Sequence, residues 1–81
     1  MNMNITNWDI AEILGYRITK YQRLLHGQVM DTCYHIRDRQ GSMLSKPYLT
    51  AEEPISLLLA IEEDLNQSGV RFKTSVIGRL R

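Results

Sequence analysis

The chain reads as an α+β domain: a small, mainly antiparallel sheet of three to four strands with two helices, in the order α-β-β-β-α-β. Residues 47–65 write out an amphipathic helix, from its proline-marked start to its acidic back. Residues 28–37 alternate two side-chain sets, as a strand with one buried face does. Glycines at 15, 27, 41 and 69 fall where these periodic segments stop.

Thr6 or Asn7 can cap a first short helix over 7–14, in which Ile10, Ile13 and Leu14 share a face and Gly15 supplies the stop. Trp8 lies off that face and is expected to pack across the helix end. Residues 16–25 admit two readings. Tyr16 and Ile18 begin like a strand, while Ile18, Tyr21, Leu24 and Leu25 also fit helical spacing. The strand, near 16–23, is favoured. After Gly27, Met30, Thr32, Tyr34 and Ile36 oppose Val29, Asp31, Cys33, His35 and Arg37 across a strand. Asp38 to Gly41 reads as a hairpin turn, with Gly41 at the position that tolerates positive φ. A short strand is expected at 42–45, ended by Lys46 and Pro47.

The second helix follows. Thr50 is placed to cap it, with Glu53 reaching back as in a capping box, and Pro54 lies within the first turn, where a missing N–H leaves no bond unmade. Ala51, Pro54, Ile55, Leu57, Leu58, Leu59, Ala60, Ile61 and Leu65 spread over an arc wider than one flat contact requires. The helix is therefore expected to lie on a sheet and touch a second element. After Gly69, Val70, Phe72 and Thr74 alternate with Arg71 and Lys73 as a last strand, and residues 78–81 are expected to fray.

All 81 residues fit one domain, 1–81, with a thin core, a size at which chains often gain stability by self-association. An apolar fraction of 43% and a charged fraction of 23% are those of a globular protein. No apolar run is long enough to cross a bilayer, so no membrane partner is expected. The opening residues lack the basic lead and apolar core of a secretion signal, and the lone Cys33 suits a reducing compartment. The expected location is the cytoplasm. The net charge of +1 hides a segregation: residues 50–65 hold only acids, whereas 16–28 and 69–81 hold only bases. Such a dipolar surface suits a charged partner or a second copy.

A short helix ending Ile13-Leu14-Gly15-Tyr16, strands, and then Pro47-Tyr48-Leu49-Thr50 opening a helix, with Gly69 and a final strand, resemble the phage ABA sandwich domain, a family of small bacteriophage and prophage proteins. The resemblance spans residues 8–76 and rests on the Leu-Gly-Tyr turn and the Pro-Tyr-Leu-Thr helix start. Pro54, the early glutamate pair and the Asp31-Thr32-Cys33-Tyr34-His35 stretch depart from the family pattern. The resemblance implies a helix–sheet–helix architecture, a phage or prophage origin and an intracellular accessory role. It carries over no catalytic residue.

Asp31, Cys33 and His35 project to one side of their strand, and a Cys–His pair could activate a thiolate. Their Cβ atoms stand about 7 Å apart along a strand, with no orienting third group in view. A metal would need further ligands, for which only His26 and Asp38 lie nearby. His35-Ile36-Arg37-Asp38 superficially matches a kinase catalytic loop but lacks every companion motif. The glycines form no phosphate-binding loop. No enzyme activity, cofactor or metal is expected.

Two binding readings remain. Ile55 and Leu59, flanked by Glu52 and Glu63, form a candidate protein interface on the second helix, for a partner protein or for a homodimer. Alternatively, Arg17, Lys20, Arg23, Arg37, Arg39, Arg71 and Lys73, interleaved with tyrosines, could grip nucleic acid. Protein binding is preferred, because the overall charge is close to neutral.

Overall fold

The computed structural model describes residues 3–69 and 75–76. Strands β1 (Met3–Ile13), β2 (Tyr16–Leu25) and β3 (Gln28–Arg37) form an antiparallel meander, followed by helix α1 (Glu52–Gln67) and the two-residue strand β4 (Ser75–Val76). The sheet order is β3-β2-β1-β4, with β4 antiparallel to β1 at Ala11 and Glu12. The class is α+β, as expected.

The expected first helix is instead strand β1. The misleading signal has a physical origin in a β-bulge between Asp9 and Ala11. Ile10 is the extra residue there, and Ile10, Ala11 and Ile13 are all fully buried. A bulge breaks two-residue alternation and so yields an apolar spacing that imitates a helical face. Gly15 does not stop a helix. Leu14 (φ 59°) and Gly15 (φ 81°) form a tight hairpin turn, as do His26 (φ 52°) and Gly27 (φ 79°). Successive positive φ values are the mark of the two-residue turn whose twist matches paired strands. Trp8 accordingly stands on a strand, beside Lys20.

Residues 16–25 are strand. The turn after β3 also forms as expected: Gly41 (φ 89°) donates to the Asp38 carbonyl at 3.0 Å, and the Asp38 carboxylate accepts from the Gln40 and Ser42 amides at 2.9 Å. The expected strand at 42–45 does not form. The chain makes only isolated bridges to the β3 edge, at Arg37–Met43 and Tyr34–Tyr48. Pro47, which has no N–H to give, interrupts the run between them. The expected strand over 70–74 lies outside the described residues.

Helix α1 starts at Glu52 with Ala51 as its N-cap, and no side chain caps it. Thr50 bonds instead to the Glu53 carboxylate at 3.3 Å, so the expected capping box does not form. The acidic first turn, Glu52 and Glu53, favours the positive end of the helix dipole. The helix closes at Gly69 (φ 87°), whose amide reaches the Asn66 carbonyl at 3.0 Å.

The core joins Ile10, Ala11, Ile13, Ile18, Tyr34 and Ile36 of the sheet to Ala51 and Leu58. Among the described residues it occupies one end of the sheet. Eleven residues of β1 run about 36 Å, whereas sixteen residues of helix run about 24 Å. Residues 3–7 of β1 and 28–31 of β3 are exposed, so the hairpin end projects beyond the helix. The radius of gyration, 14.2 Å, exceeds the roughly 12 Å of a compact chain of this length. Among the described residues no helix is long and apolar enough to cross a membrane.

Candidate docking surface

At 100° per residue the faces of α1 separate cleanly. Ala51, Pro54, Leu58, Glu62 and Leu65 cluster on the sheet side, and burial follows: Ala51, Pro54 and Leu58 are buried, Glu62 and Leu65 half-buried. Three consecutive leucines cannot all face one sheet. Leu58 takes the core at 5% exposure, which turns Leu57 and Leu59 outward on opposite shoulders.

On one shoulder, Glu52, Ile55, Leu59 and Glu63 fall within an arc of about 80°. These are the residues that sequence spacing groups together, and they do share a face. Ile55, however, is half-buried against the core, while Leu59 is 39% exposed. On the other shoulder, Leu57 and Ile61, one turn apart, are 48% and 43% exposed.

This second shoulder overlooks a groove that sequence reasoning misses. Residues 43–48 run along the β3 edge, held by paired bonds of 2.8 and 2.9 Å between the Tyr34 and Tyr48 backbones and by the Leu44 amide on the Ile36 carbonyl at 2.9 Å. The Ser45 hydroxyl accepts from the Ile36 amide at 3.3 Å. The resulting groove, about 290 Å³, is lined by Tyr16, Ile36, Leu44, Ser45, Tyr48, Leu57, Leu58 and Ile61. Met43, Leu44 and Leu49, in or next to that segment, are 53%, 54% and 80% exposed. An apolar rim of this density is uncommon on a small monomer surface. The available signal is the leucine triplet itself, together with Met43 and Leu44 in a segment too short to bury them.

The opposite face of the sheet carries the other candidates. Directly paired residues share a face, so Glu12–Arg17–Arg37, Asp9–Thr19–His35, Asn7–Tyr21–Cys33 and Ile5–Arg23–Asp31 form its rows. Arg17, Arg23 and Arg37 are thus brought together with Tyr21, but Asp9, Glu12 and Asp31 stand among them. Arg17 pairs with Asp9 at 3.7 Å and Arg23 with Asp31. Arg37 is held by the Gly41 carbonyl at 2.9 Å and the Tyr21 hydroxyl at 3.3 Å. Among the described residues, these rows set three cations against three anions, which weakens their net attraction for phosphate. Lys20 is on the helix side of the sheet and only 2% exposed. Arg39 lies in the turn against Gly15, and Arg71 and Lys73 lie outside the described residues.

Asp31, Cys33 and His35 do line one shallow hollow with Ile5, Tyr21 and Arg23. Asp31 is engaged by Arg23, and His35 meets the Ser45 carbonyl through Nδ1 at 3.4 Å and the Tyr21 ring edge-on at 5.2 Å. Among the described residues no group of three or more potential ligands could hold a metal ion.

No protein-family model, curated protein or solved structure matches this chain.

Proposed function

We propose that this protein is a small non-enzymatic accessory protein that acts by occupying the surface of a partner protein. The observation that supports the reading is the groove between α1 and residues 43–48, where Tyr16, Leu44, Leu57 and Ile61 stay 37–54% exposed around one apolar hollow. Burying such a rim would release ordered water and contribute about 25 cal/mol for each Å² of apolar surface covered. The acidic shoulder with Glu52 and Glu63 lies on the other side of α1 from the groove and would steer the approach of a partner more than add affinity. The likeness of the Pro-Tyr-Leu-Thr helix start to phage ABA sandwich proteins favours a phage or prophage origin, with a bacterial cytoplasmic protein as the partner, whereas the Leu-Gly-Tyr segment closes a hairpin here and not a helix. Self-association through the same rim is the homotypic form of the reading. Nucleic-acid binding through Arg17, Arg23 and Arg37 ranks second, because each of these is already engaged.

The test is affinity capture from bacterial lysate with the wild type and with Leu57→Asp, combined with light scattering of the purified protein. Loss of a discrete partner, or of a dimer, in the variant is the expected result. Capture or dimerisation indifferent to Leu57→Asp would remove the rim from the account. Salt-sensitive retention of DNA or RNA by both proteins would favour the second reading.

A further inference from the structure

Trp8, Lys20 and Tyr34 are direct neighbours across β1, β2 and β3 and project from the helix side of the sheet. Lys20 is 2% exposed. Its ammonium lies 5.4 Å from the Trp8 ring centroid and 5.9 Å from that of Tyr34. Among the described residues no carboxylate pairs with it. Cation–π contact recovers about 0.5–2 kcal/mol, whereas withdrawing an ammonium from water costs several. A second donor in the same row is also unmet: the Trp8 indole N–H is buried and has no hydrogen-bond acceptor among the described residues. Leaving such a donor without an acceptor costs about 1–3 kcal/mol.

A buried indole N–H without an acceptor, beside an ammonium that no carboxylate pairs among the described residues, describes half of a recognition site. We propose that the Trp8–Lys20–Tyr34 row binds a carboxylate group. A carboxylate brings one negative charge for the one ammonium and two oxygens for the two donors. Phosphate, with about two charges and more oxygens to satisfy, would be poorly matched by a single lysine. The row also marks the border of the core. Beyond it, toward the hairpin end, the next row is Thr6, Gln22 and Thr32, where exposure rises, so a carboxylate can approach along the projecting part of the sheet. The site is distinct from the apolar groove and does not depend on it.

The chain has a single tryptophan, so its indole N–H gives one resonance that reports on the site alone. The experiment titrates ¹⁵N-labelled protein with sodium acetate and, separately, with a blocked tetraglutamate peptide. Chloride and phosphate at matched ionic strength serve as controls. A saturable shift of the indole N–H with acetate or the peptide, absent with chloride and phosphate, is expected. Lys20→Met should weaken it by about thirtyfold or more, as for truncation of one member of a desolvated charge pair. Equal affinity for both probes identifies a small carboxylate as the ligand, and tighter peptide binding identifies an acidic protein segment. If neither probe saturates the wild-type resonance, or chloride or phosphate moves it equally, the proposal is overturned. That outcome is read on the wild type alone, so misfolding of Lys20→Met would not rescue the proposal.

Discussion

Leu58→Ala should be the most damaging single truncation on the helix. Leu58 is the helix leucine that enters the core, at 5% exposure, in one cluster with Ile10, Ile18, Tyr34 and Ile36. Leu→Ala at a buried site costs about 2–5 kcal/mol, the upper end arising where the surroundings cannot collapse. The groove lies immediately beside Leu58, so partial relaxation is available and about 3 kcal/mol is expected. For a chain of 81 residues with a total stability of about 4–12 kcal/mol, that is a quarter of the whole or more. In urea, at a slope of about 1.5 kcal/mol/M, the unfolding midpoint should fall by about 2 M. Leu57→Ala and Leu59→Ala remove the same atoms from positions 48% and 39% exposed. Each should cost below about 1 kcal/mol. Equilibrium urea unfolding followed by far-UV circular dichroism measures all three. Equal losses at 57 and 58, or a loss below about 1 kcal/mol at 58, would mean that α1 docks by a different face.

Other perturbations test separate parts of the structure. Gly27 (φ 79°) has open space where a Cβ would stand, so Gly27→Ala should cost about 1–2 kcal/mol through backbone strain alone, read by thermal melting. Its neighbour His26 (φ 52°) should be improved by about 0.5 kcal/mol on replacement by Asn, the residue best suited to that turn position. Thr19 is fully buried and its hydroxyl donates to the Asp9 carboxylate at 2.8 Å. Thr19→Val should therefore cost about 1–2 kcal/mol in urea unfolding, despite its matched shape. Burial raises the Tyr34 phenol above its ordinary 10.0. The unfolded chain then loses that proton first, so stability is full below pH 10 and declines as pH rises toward the folded value. Melting curves at successive alkaline pH should show a shallower decline for Tyr34→Phe than for the wild type.

The strand β3, its following turn and the body of α1 are legible in the sequence because each carries one dominant period: two in β3, and 3.6 in α1. Strand β1 is not, because the bulge at Ile10 replaces alternation with an Ile-Ala-x-Ile spacing that a helix would also produce. Leu14-Gly15 reinforces the helical reading, since a positive-φ glycine ends helices and closes hairpins alike. The helix start falls within two residues of Thr50, yet the capping position belongs to Ala51, whose backbone alone sets the boundary. Helical spacing does place Ile55 and Leu59 on one face. Which of Leu57, Leu58 and Leu59 meets the sheet depends on the packing angle of α1, and a single helical period does not encode that angle. The groove depends in turn on residues 43–48 lying along β3 without forming a strand, an arrangement made by tertiary hydrogen bonds rather than local preference.

The central claim is that the rim around Leu44 and Leu57 is the contact surface. A photo-crosslinking amino acid placed at 44 or 57, in protein expressed in bacterial cells, tests it at the residue level. A discrete heavier adduct, of a partner or of a second copy, is expected from these two positions and none from Asn4 or Gln67, which are exposed and do not line the groove. Adducts of equal yield from all four positions, or from Asn4 and Gln67 alone, would contradict it.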